Sequence, residues 1–471
     1  MSYPIIDAHS ELNDVDFLRK KILKSSPFNP PKLNSASNYI KRLPDSALAS
    51  VCLKEARNNG SYPLIQPRGG FSRFNKQREL VIELDSAGAD FMPLTIDSHT
   101  RNNDYQMAKT LLERSDLEDK NLLNGYPIIN HGYQQTRKLF KGINKPVSLR
   151  HGTPDARLLT EIALASGITE IEGGALSYTL PYSQSYPLDK SLYYWQYVDR
   201  ICSLVGEKDR PIHRESFGPL TATMVPPFMT IVVELCELLL AAEQGVTSFS
   251  VAFSQTGSIT QDFALAKVLR KTAELYLENF DFKNVSVFLV YHHWMGVFPY
   301  DYDIANSLIA TSTQLGVMLG ADKIVTKTKE EARGIPSVKH NSDAVRLVRY
   351  VIEHTNEIVL INREIIKEEE DRIYKQVKSL MSVLFNIKAK SFRDSINQAV
   401  LSGYIDIPFA PHLSNHNKLI TRRGKGDGIY VSKPGAVPIP ENTIKEEKKL
   451  LGKSIFTSSF KDLMSDINLM Q

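Results

Sequence analysis

Cysteine is scarce in this chain, which has three in 471 residues and no C-x-x-C spacing. An odd number of cysteines without paired spacing argues against a disulfide framework and against a structural zinc site. The same scarcity fits a reducing compartment. The three cysteines are Cys52, Cys202 and Cys236.

Long apolar runs are also absent. The strongest candidate, Met229 to Ala242, is shorter than the roughly 20 residues that a membrane helix needs, and it contains two glutamates. It therefore predicts a buried helix. The N-terminus lacks the basic region and apolar core of a secretory signal, so we expect a cytoplasmic protein with no membrane partner.

A strong charge excess is missing as well. Lys and Arg number 57 against 53 Asp and Glu, a difference of +4, and no dense basic cluster lies beside aromatic residues. This pattern argues against nucleic acid as a partner. A chain of 471 residues with 42% hydrophobic content is long enough for one large enzyme core with appendages.

Short apolar runs alternate with amphipathic segments between residues 60 and 340. This alternation predicts a (β/α)8 barrel over 60–340, with an N-terminal helical arm over 1–59 and a C-terminal helical and α+β extension over 341–471. Nine strand-like runs compete for eight positions, so one must be a loop or an accessory strand. The runs are Pro63–Gln66, Phe91–Ile96, Gly125–Ile129, Val147–Leu149, Ile168–Ile171, Pro211–His213, Val246–Ala252, Val285–Val290 and Lys323–Val325.

Three arginines lie where predicted strands end. Arg68 and Arg101 each follow an apolar run, and Arg150 ends a third. A single arginine in such a place is more often an ion-pair residue than a ligand, but strand ends of a β/α barrel converge on its active site. Because a guanidinium group can hold a carboxylate bidentately, the three together suggest a site for a dicarboxylate.

A second polar segment runs from Glu172 through Tyr178 to Tyr182 after another predicted strand. Glu172 is the candidate catalytic residue, since its carboxylate could accept a hydrogen bond from a substrate ammonium; a rim ion pair is the alternative. Tyr178 and Tyr182 could orient the substrate through their hydroxyl groups, or they could be packing residues.

A series of short motifs resembles one known family. The chain resembles the large epsilon subunit of cobalamin-dependent glutamate mutase, also called methylaspartate mutase, from about Asp16 to the C-terminus and most densely between Gln66 and Pro336. The motifs occur in the family's order: QPRGG, LTIDSHTR, LLNGYP, LRHGTPDARLL, IEGGALSY, KSLYYWQYVDR, HRESFGPLTATMVPP, LAAEQGV, WMGVFP, KIVTKT and IDIPF.

The resemblance implies a TIM-type barrel that interconverts L-glutamate and (2S,3S)-3-methylaspartate by a radical route. It implies adenosylcobalamin as the cofactor, shared with a small, sigma-type cobalamin-binding subunit that carries a D-x-H-x-x-G motif, and a homodimer of this chain within a heterotetramer. The segment Asp7-Ala-His9-Ser-Glu-Leu12 imitates that motif only in part, because Leu12 stands where glycine belongs. The lower ligand of cobalt is therefore expected from the partner.

The resemblance also implies roles for the residues above. Arg68, Arg101 and Arg150 would clamp the two substrate carboxylates, with His151 beside them. Glu172 would exchange a proton with the substrate ammonium.

Further residues are placed by the resemblance against the adenosyl group and the corrin. Lys327 and Glu331 would lie near the ribose hydroxyls, although their spacing of four also suits a helix salt bridge. The pairs Gly69-Gly70 and Gly173-Gly174 would leave room for a flat macrocycle, or they could form tight turns. The cofactor set is Gly70, Asn124, Pro181, Phe298, Lys327, Glu331 and Ile335.

No metal site is predicted from this sequence, because the adjacent His292 and His293 would point to opposite faces of a strand. Three alternative functions stay open. A cofactor-free barrel lyase would need a catalytic lysine, for which Lys327 is the candidate, or a metal cluster. A mutase paralogue could act on a related amino diacid, and a non-catalytic paralogue could bind an amino acid or the small subunit. The joint presence of the three arginines and Glu172 favours an active enzyme.

Overall fold

Eight short parallel strands form the centre of the fold. The computed structural model describes residues 15–24, 26, 31–60, 63–218, 224–355, 362–452 and 461–462. Within them the strands are β1 (Leu64–Gln66), β2 (Met92–Thr95), β3 (Val147–Arg150), β4 (Glu170–Glu172), β5 (His213–Glu215), β6 (Ser248–Ser254), β7 (Ser286–His292) and β8 (Lys323–Val325). They pair in the order β1-β8-β7-β6-β5-β4-β3-β2.

Backbone hydrogen bonds close this sheet between β1 and β2. The amide groups of Asp90 and Phe91 donate to the Ile65 carbonyl oxygen at 3.0 and 3.1 Å, and the Thr95 amide donates to the Gly69 carbonyl oxygen at 3.1 Å. The predicted (β/α)8 barrel of the TIM type is thereby confirmed, and its strands share one C-terminal end.

Helices follow most of the strands and surround the barrel. The first nine are α1 (Val15–Leu23), α2 (Leu33–Ile40), α3 (Ala49–Asn59), α4 (Phe74–Ser86), α5 (Ser98–Arg101), α6 (Tyr105–Leu117), α7 (Ile128–Leu139), α8 (Arg157–Ser166) and α9 (Ala175–Thr179). The remaining described ones are α10 (Leu188–Val205), α11 (Pro227–Glu243), α12 (Ile259–Asn279), α13 (Tyr302–Met318), α14 (Val338–His354), α15 (Arg363–Asn386), α16 (Phe392–Leu401) and α17 (Glu441–Leu451). An antiparallel pair, β9 (Ile420–Arg423) and β10 (Ile429–Lys433), forms a hairpin near the C-terminus.

The ninth strand candidate, Gly125–Ile129, is not a barrel strand. The Tyr126 amide donates to the Thr95 carbonyl oxygen at 2.8 Å, so the segment touches the end of β2. Two residues later α7 begins, with Pro127 at its N-cap. The other eight runs each contain or overlap a strand, although the runs that give β5 and β6 begin and end two residues too early.

The apolar segment Met229–Ala242 lies within α11, every residue of which is buried. Its burial on all sides follows from the helices that pack around it, α10, α12, α15 and α16. The expectation of a buried helix is confirmed, and no helix in the described ranges is long and apolar enough to cross a membrane.

Helix α3 covers the N-terminal end of the barrel. Its Ala49 and Leu53 pack in one apolar cluster with Phe91 and Phe288. Arg57 extends from the same helix to Asp322, with Nη2 at 2.6 Å from Oδ2. The C-terminal ends of the strands lie on the opposite side of the barrel from α3. The Asp7-to-Leu12 segment lies outside the described residues.

Candidate active site

The three arginines meet at the C-terminal end of the barrel. Arg150 is the last residue of β3, Arg68 lies two residues after β1, and Arg101 ends the short helix α5 after β2. Asp97 caps α5 by accepting hydrogen bonds from the amides of His99 and Thr100, both at 3.0 Å. This cap fixes the turn from which Arg101 projects, because it satisfies amide groups that the helix leaves free.

Glu172, the last residue of β4, is the acidic centre of the site. Its carboxylate forms an ion pair with Arg150 and accepts a hydrogen bond from the Tyr178 hydroxyl group. All three side chains are buried. Burial raises the pKa of Glu172, while Arg150 and Tyr178 oppose that rise. The sequence left open whether Glu172 forms an ion pair, and the structure shows that it does, with one of the arginines of the site.

The segment after Glu172 is held by a glutamate that the sequence did not single out. Glu237 of α11 accepts hydrogen bonds from the amides of Leu176 and Ser177 at 2.9 and 2.8 Å. A Cβ atom on Gly174 would collide with that carboxylate. Glycine at 174 therefore lets Glu237 anchor the first turn of α9, the helix that carries Tyr178.

Gly173 and Gly70 also have protein neighbours that explain them. Gly173 has a φ of 112°, and a Cβ atom there would collide with the Tyr178 ring. At Gly70 the obstacle would be the carbonyl oxygen of Thr95 on β2. Close packing within the chain thus accounts for these glycines, whether or not a macrocycle lies nearby.

An aromatic wall lines one side of the site. The Tyr178 ring lies 5.4 Å from Phe217 and 5.9 Å from Tyr182, and Phe217 lies 5.5 Å from the His292 ring. Tyr178 is fully buried, whereas Tyr182 is 47% exposed. Tyr182 therefore lies at the exposed opening of the site, its mouth, and Tyr178 lies at the buried base of the site, its floor.

His151 packs behind this wall as a neutral side chain. Its ring is parallel to the Trp195 ring at 5.8 Å, and its Nδ1 accepts a hydrogen bond from the Thr153 amide at 3.2 Å. Burial lowers the pKa of His151 well below its usual value, and the charges of Arg101 and Arg150 lower it further. Neutral His151, with Nε2 left as a donor, can hydrogen-bond an anionic ligand.

The charges at the mouth do not balance. Within the described ranges Arg101 makes no ion pair; its Nε donates to the Ile96 carbonyl oxygen at 2.6 Å. Arg68 has one acidic neighbour, Glu331, at 3.7 Å. Burial lowers the pKa of Arg101, and the nearby charge of Arg68 lowers it further. Such an excess of guanidinium groups favours an anionic ligand.

Two further buried side chains near this end lack hydrogen-bond partners. Both amide atoms of Gln66 and both ring nitrogens of His292 are unsatisfied within the described part of the chain. Burial lowers the pKa of His292 well below its usual value, with Arg150 and Arg68 adding to the effect. Unsatisfied buried polar groups are costly, so these atoms indicate a polar ligand. His293, the residue after β7, faces the other way from His292, and its Nε2 lies 3.1 Å from the Thr313 hydroxyl group.

Beneath the arginines lies a closed layer of charge. The Lys323 ammonium group is 2.8 Å from both Glu170 oxygens and 2.6 Å from Glu215 Oε2. Glu170, His213 and Glu215 are close enough together to hold a metal ion. However, Lys323 already supplies the cation, and both His213 nitrogens bond to serine hydroxyl groups at 2.8 Å. The arrangement is therefore an internal ion cluster.

The seven expected cofactor residues come from five loops at the same end of the barrel. Lys327 Nζ lies 2.6 Å from Glu331 Oε2 and 5.6 Å from the centre of the Phe298 ring. The pair occupies a turn, not the helix that its spacing suggested. Burial and then Arg68 lower the pKa of Lys327 to about 8. Asn124 accepts a hydrogen bond from the Ser98 amide at 2.9 Å, and Ile335 is 55% exposed.

The fold and the polar groups at its strand ends define a TIM-type barrel enzyme, the class in which the active site lies at the C-terminal ends of the strands. The family model described as Methylaspartate mutase E chain (MutE) matches residues 43–467. The chain belongs to this family, which is a family of isomerases, and the resemblance seen in the sequence is confirmed.

Similar proteins include three that carry the name glutamate mutase epsilon subunit. The one from Desulfitobacterium hafniense (strain Y51) is 37% identical over 87% of this chain and 84% of its own length. Those from Escherichia coli O157:H7 and Haloarcula marismortui are 36% and 35% identical, covering 86% and 90% of this chain and 84% and 87% of their own lengths. Among solved structures, tryptophan synthase subunit alpha from Legionella pneumophila str. Paris aligns over 64% of this chain and 97% of its own, with 13% identity and a TM-score of 0.27, too low to add to the fold assignment.

Sequence reasoning missed Glu215, Lys323 and Glu237 as parts of this region, whereas it did single out His292, as a structural or corrin-contacting residue and not as a metal ligand. The sequence did hold a signal for Glu215. His213 and Glu215 are two residues apart on one strand, as Glu170 and Glu172 are on the next, so the members of each pair face the same side of their strand. The contribution of Glu237 had no such signal, because it depends on how α11 packs against α9.

Proposed function

We propose that this chain is the large catalytic subunit of an adenosylcobalamin-dependent glutamate mutase. It would interconvert L-glutamate and (2S,3S)-3-methylaspartate by a radical rearrangement of the carbon skeleton. The observation that carries this proposal is the buried Arg150–Glu172–Tyr178 group beside Arg68 and Arg101, whose charges exceed the acidic groups around them. Membership of a mutase family supports the reaction class.

In this proposal the arginines bind the two substrate carboxylates. Arg101 has a free guanidinium end beyond its bond to Ile96, and Arg150 can share its charge between Glu172 and one carboxylate. His151 adds a neutral hydrogen bond. Bidentate guanidinium contacts fix the direction of the carbon chain as well as its charge, which positions the substrate for reaction.

Glu172 would accept a hydrogen bond from the substrate ammonium and take a proton from it reversibly. Its Oε2 atom lies against Nη1 of Arg150, and its Oε1 atom accepts a hydrogen bond from Tyr178. A substrate ammonium would therefore share these oxygens with the two side chains that hold the carboxylate in place. Tyr182, half exposed at the mouth, would orient the substrate from above and help to exclude water.

The residues at the rim suit a large ligand with both apolar and hydroxyl-bearing parts. Lys327 and Glu331 offer a donor and an acceptor side by side, Phe298 lies below them, and Ile335 presents apolar surface. Gly70, Asn124 and Pro181 would complete the contact. Adenosylcobalamin, when bound there, supplies the radical that starts the rearrangement.

The second half of the cofactor site would come from a small cobalamin-binding subunit. The epsilon-subunit name of the similar proteins implies such a partner, and we expect its D-x-H-x-x-G histidine to ligate cobalt. We expect a homodimer of this chain in a cytoplasmic heterotetramer. Residues 60–340 would carry the site, and residues 1–59 and 341–471 would support it.

Reconstitution tests the proposal. The purified chain is mixed with the small subunit of a glutamate mutase and with adenosylcobalamin, and formation of 3-methylaspartate from L-glutamate is followed. We expect turnover with both chains, and weak cobalamin binding and no turnover with this chain alone. Tight stoichiometric cobalamin binding by this chain alone would contradict a cofactor site shared between two subunits. Turnover of another amino diacid in place of glutamate would show that the substrate is different.

A further inference from the structure

The interior of the barrel holds more carboxyl groups than cations. Lys323 lies between Glu170 and Glu215, and Arg150 pairs with Glu172. All five side chains are buried. Three buried carboxyl groups therefore face one ammonium group and one guanidinium group.

An uncompensated charge in such a place is costly, and a carboxyl group avoids that cost by keeping its proton. The three carboxyl groups are not equivalent. Glu172 has its own guanidinium partner and a hydroxyl donor, and Glu170 accepts two hydrogen bonds from Lys323. Glu215 shares the Lys323 ammonium group with Glu170, at 2.6 Å from Oε2, and its Oε1 has no hydrogen-bond partner within the described residues.

We infer that Glu215 is a positioning residue that stays protonated in the working enzyme, so that Glu172 is the carboxylate that carries the charge beside the substrate. The two residues are partners in the register of β4 and β5, on strands that lie about 4.8 Å apart. An ionised Glu215 would place an extra negative charge under the arginines, where it would repel a dicarboxylate. The role in catalysis rests on the proposed function, whereas the protonation does not.

The electrostatic surroundings support this assignment. Burial raises the pKa of Glu215 to about 8, with Lys323 and Arg150 opposing and Glu170 and Glu172 adding to the rise. From β6 the uncharged Ser250 is its register partner. The ionisable groups that face it are Lys323 on β8, Arg150 on β3, Glu170 and Glu172 on β4, and Glu234 on α11, whose own pKa burial raises well above its usual value.

Thermal unfolding of the chain against pH tests the protonation directly. Between about pH 4.5, where an ordinary glutamate titrates, and pH 8, the folded wild type would hold one proton that the unfolded chain has lost. Its stability therefore falls as pH rises through that window, and Glu215→Gln lacks this loss. For 471 residues, one proton corresponds to about 1.4 °C in Tm per pH unit. The Tm of the variant minus that of the wild type should climb at that slope and level off above pH 8.

Glu170→Gln is the matched control, because it makes the same change on the other carboxyl partner of Lys323. We expect it to lower Tm throughout the pH window of the test, since it removes an oxygen that accepts a hydrogen bond from the ammonium group and breaks a buried ion pair. The inference fails if the Tm of Glu215→Gln minus that of the wild type does not change with pH. It also fails if Glu215→Gln lowers Tm as much as Glu170→Gln does. If Glu215→Gln and Glu215→Leu both fail to fold while Glu215→Asp folds, the charge is needed and the inference also fails.

Kinetics of the reconstituted complex then test the role in catalysis. The KM for glutamate should rise above pH 8 in the wild type and should not rise with Glu215→Gln, with kcat near pH 7 retained. If the KM rises equally in the wild type and in Glu215→Gln, Glu215 can still be protonated but has no role in catalysis. Absence of any mutase turnover in the wild type would refute the proposed function while the Tm curves still decide the protonation.

Discussion

Replacing Glu172 with glutamine removes one charge from a buried pair and leaves its partner, Arg150, without a counterion. Breaking a buried ion pair by removing one member costs about 3–5 kcal/mol. With an unfolding entropy of about 2.1 cal/mol/K per residue, a chain of 471 residues loses about 1 °C of Tm per kcal/mol. Glu172→Gln should therefore lower Tm by about 3–5 °C.

A dicarboxylate should return much of that loss, because one of its carboxylates can pair with Arg150. Glutarate is the useful ligand, since it has no ammonium group and so does not need the charge of Glu172. Saturating glutarate should raise the Tm of Glu172→Gln more than that of the wild type. In the reconstituted complex the same variant should lose about 10²–10⁴-fold in kcat, with a smaller change in KM, because the amide can still accept a hydrogen bond from the ammonium.

Glu161 provides a matched control outside the barrel. It too is buried, pairs with an arginine, Arg19, at 2.9 Å, and accepts a tyrosine hydrogen bond, from Tyr197 at 2.7 Å. Glu161→Gln should lower Tm to a similar degree, but glutarate should not restore it. Equal glutarate shifts in both variants would show that Arg150 does not bind the ligand, and normal kcat in a destabilised Glu172→Gln would make Glu172 a structural residue only.

Two further variants probe the clamp and its support. Arg101→Lys should lower kcat/KM for glutamate by roughly 10- to 150-fold and leave cofactor binding intact, because the loss of a bidentate contact costs about 1.5–3 kcal/mol. An unchanged kcat/KM would show that Arg101 does not bind a substrate carboxylate. Gly174→Ala should cost about 1–3 kcal/mol of stability, because the added methyl group displaces the Glu237 carboxylate, and should reduce kcat by loosening Tyr178. Gly152→Ala, where no atom lies within 4 Å of the added carbon, is its control in thermal unfolding, and equal Tm values for the two alanine variants would contradict the steric account.

The barrel could be predicted from the sequence because its strands and helices alternate along the chain. The one false strand, Gly125–Ile129, shows the limit of that reasoning. A short apolar run has the same pattern whether it is a strand or the start of a helix, and here Pro127 is the N-cap of α7. The hydrogen bond from the Tyr126 amide to the Thr95 carbonyl oxygen holds the segment against the end of β2 without making it a strand.

Residues of the site were predicted unevenly for a related reason. Arg68, Arg101 and Arg150 could be found because each lies near a strand end, and all strand ends of a barrel converge. The ion pair between Arg150 and Glu172 depends on which side of each strand faces inward, and the support from Glu237 depends on packing between helices. Neither follows from spacing along the chain.

The inside of this barrel departs from the usual layers of branched apolar side chains, and its polarity has a consequence for the site. Lys323 and its carboxyl partners lie directly beneath the arginines, in a medium where charges act over longer distances than in water. Each proton gained or lost in that layer changes the field that a dicarboxylate meets on binding. An apolar floor would leave the arginines to repel one another without any balancing charge below. A floor that holds all three carboxylates ionised would carry one negative charge more than Lys323 and Arg150 offset, and would weaken the attraction of Arg68 and Arg101 for an anion. A neutral Glu215 lies between these extremes: it leaves the layer with two carboxylates for its two cations, and it leaves Arg68 and Arg101 as excess positive charge for the dicarboxylate that we propose.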